Sequence, residues 1–313
     1  MSASTLTRSR PTLLAAAMIT TAVGSLLAVP PASGVERPAD ASEATAGPAA
    51  VEYPNYTHQT GRFSFAQGYY TGGYVDCPSG KLPIASGAVN SDPAGMLLSG
   101  STTTAGTGSF ASGQSAGGGA QELEVRSHCV DAAKLKGFSR ASLSLRDHSG
   151  TSWSSYVRKA TCPVGTVAYG GGGNVTTNGL YDVAGLYTFG TKPDGRSWTY
   201  AGAGSLNGRT LLVESKCLPR NRLGKIVTVD DTVTGPDSTG RHRVLGSAHC
   251  PEGYFAFAGG AYFHPIGSTT PSWDGYLKAN MMSPDDRGWF VIGDTFTPNT
   301  QLTTTVRCTT RLG

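Results

Sequence analysis

Charge is scarce in this chain. Asp, Glu, Lys and Arg together make 15% of its 313 residues, and the formal balance is +4. Such a chain offers no basic surface for a nucleic-acid backbone. It has little to attract it to an anionic membrane, and it lacks the charge of a disordered tail. Good helix formers are sparse, which argues against a helical bundle or a coiled coil. Beyond the first 34 residues no run of about 20 apolar residues occurs, so no membrane span is expected. Neither CxxC nor HxxxH spacing occurs. Metal and cofactor are therefore both expected to be none.

What is abundant is glycine. The 43 glycines are about twice the usual share. With plentiful Ser, Thr and Tyr, this composition favours short strands joined by tight turns. The N-terminal 34 residues read as a Sec-type signal peptide. Arg8 and Arg10 form the basic region, Leu13 to Val29 the apolar stretch, and Ala32-Ser33-Gly34 a small-residue cleavage region. Removing them takes two arginines and no acid, which leaves a balance of +2. Residues 35–52 read as a disordered linker or propeptide, rich in Ala, Pro and acid and without an aromatic residue.

Six cysteines follow, an even number behind a secretion signal, which implies disulfides and an extracellular location. Three open the same phrase: Cys77-Pro78-Ser79-Gly80, Cys162-Pro163-Val164-Gly165 and Cys250-Pro251-Glu252-Gly253. The other three lie 52, 55 and 58 residues downstream. Gly87, Gly172 and Gly260 each stand ten residues past an opening cysteine. An aromatic, Phe110, Trp198 or Trp289, stands nineteen residues before each closing one. The residue just before the closing cysteine is always basic: His128, Lys216 and Arg307. This is an internal triplication. It pairs Cys77–Cys129, Cys162–Cys217 and Cys250–Cys308, each bridge worth roughly 4 kcal/mol in the chain-entropy model.

Past each CPxG turn, bulky residues alternate with small ones. Leu82 and Ile84, Val167 and Tyr169, and Phe255 and Phe257 are bulky. Pro83 and Ala85, Ala168 and Gly170, and Ala256 and Ala258 are small. A period of two means a strand, with one face for bulk and one for close approach. The expected fold is all-β, with four or five antiparallel strands per repeat. The repeats span 53–139, 140–224 and 225–313. They pack together about a pseudo-threefold axis as in a β-prism, or stand as three beads on a string. The best helical candidate, Val130–Lys136, spans barely two turns.

The CPxG phrase, the later glycines, the aromatic after a turn and the closing cysteine resemble a repeat of secreted bacterial, especially actinobacterial, proteins. That likeness covers residues 60–313 and implies location and fold rather than an activity. The threefold β character is also similar, in architecture alone, to the β-prism vitelline membrane outer layer proteins.

The sharpest local motif is P-D-x-R-x-W, at Pro193–Trp198 and Pro284–Trp289. Asp194, Arg196 and Trp198, with Asp285, Arg287 and Trp289, would make a ligand site, the indole stacking and the charged arms hydrogen-bonding. The competing reading is a turn followed by a core tryptophan. Gly113-Gln114-Ser115-Ala116-Gly117 matches a nucleophile elbow in spelling but lacks the following helix. Asp147-His148-Ser149 cannot form a triad, because neighbouring side chains diverge. His58, His128, His148, His242, His249 and His264 read as surface or satisfied histidines. No catalytic residue is expected. The expected function is a secreted, non-enzymatic binding protein, with a glycan or cell surface as partner. An extracellular protein partner is the alternative, and a glycoside hydrolase ranks third.

Overall fold

The computed structural model describes residues 54–65, 70–90, 96–103, 106–115, 121–146, 153–177, 180–182 and 186–313. The signal and linker segments, Asp147-His148-Ser149, and the end of the Gly113–Gly117 elbow lie outside these residues. The first repeat contributes β1 (Thr57–Phe65), β2 (Tyr70–Asp76), β3 (Lys81–Asn90), β4 (Met96–Thr103), β5 (Gly108–Ser115) and β6 (Gln121–Asp131). The second contributes β7 (Ser139–Arg146), β8 (Ser154–Thr161), β9 (Thr166–Thr177), β10 (Leu180–Asp182), β11 (Leu186–Asp194), β12 (Ser197–Gly204) and β13 (Thr210–Pro219). The third contributes β14 (Ile226–Thr234), β15 (His242–His249), β16 (Phe255–Pro265), β17 (Gly275–Met282), β18 (Gly288–Thr295) and β19 (Thr300–Thr309). Each repeat therefore carries six strands or more, not the four or five its pattern suggests. Short irregular pieces such as β2 and β15 lack a clean alternation to announce them. Among the described residues there is no α-helix. The Val130–Lys136 candidate shrinks to a single 3-10 turn, Ala132–Leu135.

All three disulfides form as the repeat phase pairs them, Cys77–Cys129, Cys162–Cys217 and Cys250–Cys308. The sheets do not follow the repeats. One six-stranded sheet runs β1-β6-β3-β17-β18-β15, and the other runs β14-β19-β16-β11-β12-β8. In each, three strands come from one repeat and three from another. The remaining sheets, β10-β9-β13-β7 and β2-β5-β4, each come from one repeat, and β4 lies alongside β9. The third repeat thus contributes three strands to each six-stranded sheet, sharing one with the first repeat and the other with the second. Beads on a string are excluded, and Ala49–Gly313 form one compact unit.

Two of the glycines ten residues past the opening cysteines, Gly87 and Gly260, mark these seams. A Cβ on Gly87 would lie 2.2 Å from the Cβ of Met281, on the β17 strand of the third repeat. One on Gly260 would lie 1.9 Å from the Thr191 carbonyl oxygen, on β11 of the second. Only a bare backbone lets strands of different repeats close at these points.

Strand register corrects one alignment of the sequence. Ser197 pairs Thr161 and Gly288 pairs His249, each partner lying just before an opening cysteine. In the first repeat Asp76 holds that place and pairs Gly108. Ser109, not Phe110, therefore occupies the position of Trp198 and Trp289. An extra residue between β5 and the closing cysteine hides the offset. The exchange is matched beneath it. Trp198 and Trp289 lie flat on Gly171 and Gly259, where a Cβ would come within 2.5 and 2.3 Å of the indoles. The first repeat has Ser86 there, and Ser86, Ser109 and Ser127 join in a buried chain of hydroxyl contacts, each 2.8 Å.

Beside this chain lies a cavity of about 10 Å³, lined by Ser86, Trp198, Trp289, Tyr169 and Lys216 among others. That is room for about one water. Lys216 is buried on β13. Burial, with the nearby Arg140 cation, drives its pKa well below the usual lysine value, and Glu214 offsets this only in part. The unfolded lysine titrates near 10.5 and the folded one lower. Between the two the unfolded chain binds more protons, so stability rises with pH across that window. Tyr200, pushed up to about 12 by burial, brings the opposite slope only above its ordinary value of 10.0. Lys216→Met should keep the stem's volume and stabilise the fold by about 1 kcal/mol or more at neutral pH. Denaturant unfolding between pH 6 and 10 checks this (about four units, spanning the flank below the lysine's unfolded value). A variant less stable than the parent, with the same pH slope, would refute it.

Candidate functional site

The P-D-x-R-x-W motifs are structural turns. Trp198 is 3% exposed and Trp289 2%. Each indole N–H donates inward, to Thr191 Oγ1 at 2.8 Å and Asn280 Oδ1 at 2.6 Å. Neither ring is available to stack on a ligand, so the expectation of a stacking platform there is corrected. A hydrophobic ring at the start of a central strand is worth more to the core than to the surface. The charged arms are also employed locally. Asp194 pairs with Lys159 across the sheet, and Arg196 Nη1 donates to the Cys162 carbonyl at 3.2 Å. Asp285 accepts from Ser283 Oγ at 2.5 Å and from the Arg287 N–H at 3.1 Å. Burial works to raise its pKa, but these hydrogen bonds and nearby His249 prevail and hold it below the usual value. Arg287 is part-buried behind the same turn.

The other two tryptophans are on the surface and find each other. Trp153, 55% exposed, precedes β8. Trp273, part-buried, precedes β17. Their ring centroids are 5.8 Å apart. Tyr187, at the start of β11, lies 5.4 Å from Trp153 and 5.9 Å from Trp273. Phe296 follows β18 and sits 5.4 Å from Trp273, and Tyr276 on β17 extends the row to Phe296 at 6.2 Å. Buried Phe189 supports Trp273 from below at 5.8 Å.

Strand register explains this gathering. Leu186 pairs Gly204, which pairs Ser154, and Gly275 pairs Thr295. Antiparallel order therefore aligns the starts of β8 and β11 in one sheet and the start of β17 with the end of β18 in the other, and the ring contacts join the two sets. Trp153 and Trp273 stand in connecting segments outside the repeat phase, so no offset rule points to them. The available signal was weaker. Gly185 precedes β11, which carries Tyr187, and Gly275 opens β17, which carries Tyr276.

Polar groups flank the row on both sides. Tyr276 reaches Asp294 through its hydroxyl at 3.5 Å, and Arg241 lies over its ring. Arg241, Arg243, Lys278 and Asp294 line an open groove of about 370 Å³ there. Lys278 is fully buried and holds Asp294 at 2.8 Å, while Arg241 pairs with the same carboxylate from the solvent side. Beyond Trp273, Asp274, Asn299 and Thr297 help line a second recess of about 290 Å³. A row of ring faces between two polar recesses can hold a ligand with apolar faces and hydroxyl or acidic edges.

Elsewhere, among the described residues, one group has the donors to hold a metal. His58, His128 and Asp286 bring three ligand atoms within 4.8 Å of one another. No protein-family model matches the chain, and no curated protein matches it.

Proposed function

We propose that this chain is a secreted, non-enzymatic carbohydrate-binding protein, lectin-like and built as a three-walled β-prism. Its binding face is the aromatic row of Trp153, Tyr187, Trp273 and Tyr276. The exposed contact between Trp153 and Trp273 carries this reading. Trp153, left 55% exposed, forgoes burial that the fold could otherwise use, and sugars offer the matching C–H faces. The groove of Arg241 and Arg243 beside Tyr276 favours glycans with an acidic group. The three disulfides suit an oxidising, extracellular setting.

A protein partner is the second reading, because Trp, Tyr and Arg are also the residues that anchor protein interfaces. A glycan array that includes uronic, sulfated and sialylated chains separates the two. Binding by the parent chain is expected. Trp153→Ala should weaken it by at least about tenfold, the loss of one ring contact of roughly 1.5 kcal/mol. Trp153 is exposed, so the variant should melt as the parent does. Flat signals across soluble and insoluble glycans would turn the reading toward a protein partner.

A further inference from the structure

Three chain segments that belong to two repeats meet at one point. His58 lies on β1 and His128 opposite it on β6, as direct cross-strand partners. Asp286 comes from the turn between β17 and β18 of the third repeat. Its Oδ2 is 3.2 Å from His58 Nε2, and its Oδ1 is 3.2 Å from His128 Nδ1. The two imidazole centroids are 4.7 Å apart.

The other two seams show what this place holds when it is only structural. The residue paired across from the buried base is Arg140 beside Lys216, and Thr228 beside Arg307. Arg307 reaches across to the Gly195 carbonyl at 2.9 Å, a backbone contact in the equivalent turn. Gly195 itself has a left-handed φ of +59°. Asp286 takes the same φ, +58°, without being glycine. An L-residue there costs on the order of 1 kcal/mol that glycine would not. The third repeat accepts that cost at the one seam where two imidazoles converge, and turns the carboxylate toward both.

We propose that His58, His128 and Asp286 bind a divalent transition-metal ion of the zinc class. Two imidazoles and one carboxylate supply borderline-soft nitrogen donors and a single negative charge, which suits Zn²⁺ and not the all-oxygen shells of Ca²⁺ or Mg²⁺. Nε2 of His128 is buried without a hydrogen-bond partner, while its Nδ1 faces Asp286. A cavity of about 110 Å³, lined by His58, Thr60, His128 and Pro284 among others, opens beside the three donors. It leaves a fourth position to water or a small exogenous ligand. The ion would join the edge strand β1 to a turn of the third repeat, and so close the seam between the first and last parts of the fold.

The test uses untagged, chelator-stripped mature protein. Calorimetry with Zn²⁺ should show one ion per chain, and Co²⁺ should give the visible bands of a four- or five-coordinate site. Asp286→Gly installs the residue that the second repeat carries at this turn, so its metal-free melting should equal or exceed the parent's. Its Zn²⁺ affinity should fall by at least about tenfold, and that of His58→Gln, an exposed position, by as much. Absence of Zn²⁺ heat in the parent overturns the proposal. So does a smaller loss in a variant that melts like the parent.

Discussion

Residues 225–313 expressed alone, with Cys250–Cys308 formed, should show no cooperative unfolding transition as a monomer. The reason lies in the strand exchange. This repeat's β14-β19-β16 half ends on β16, whose outer partner is β11 of the second repeat. Its β15-β18-β17 half ends on β17, whose partner is β3 of the first. Cut free, the fragment exposes both edges and the core side chains that back them, Phe257, Phe263 and Trp289 among them. Three-stranded halves with one disulfide bury too little apolar surface to offset chain entropy. The bridge restrains the unfolded state but cannot replace a missing wall. Open edges also invite pairing between copies. Near-ultraviolet circular dichroism and denaturant titration at low concentration should be featureless, and structure should appear only with association. A monomeric fragment with a sigmoidal transition would show that the halves are self-sufficient and would refute the argument.

The triplication was legible because disulfides and glycines keep strict spacing, and a strict phase survives in one sequence. The partition of strands was not. Gly87 and Gly260 announce that something approaches closely. Nothing in their spacing says that the approaching backbone, Met281 or Thr191, belongs to another repeat. The tryptophans misled for a related reason. Trp198 and Trp289 keep phase because the core needs them, whereas Trp153 and Trp273 stand outside it, in segments free to vary. Phe110 shows the limit of counting. A single extra residue shifts it off the tryptophan position, and only the pairing of Gly108 with Asp76 reveals Ser109 in its place. The His58–His128–Asp286 group was equally hidden, since its members lie 70 and 158 positions apart and share no local motif.

The seam glycines permit a sharper test than deletion. Gly260→Ala adds one methyl group, which in most strand positions would be neutral or favourable. Here the new Cβ would stand 1.9 Å from the Thr191 oxygen and 2.8 Å from the carbonyl carbon. Both are backbone atoms, so no rotamer change relieves the clash. Thr191 pairs Ala261 and Gly190 pairs Tyr262 on this same edge. Moving β11 away would sacrifice those bonds and uncover Phe257 and Phe263. The expected destabilisation is about 3 kcal/mol, at the upper end for overpacking. For a chain of this size that lowers Tm by roughly 6–12 °C. Gly165→Ala is the control. Gly165 has φ +82° but nothing within 4 Å of an added Cβ, so only backbone strain of about 1 kcal/mol applies. If the two variants lose equal stability, the close approach at position 260 costs no more than backbone strain elsewhere, which refutes the prediction. If Gly260→Ala loses about three times more, the close approach of two repeats is what the glycine provides, and the same reasoning extends to Gly87 against Met281.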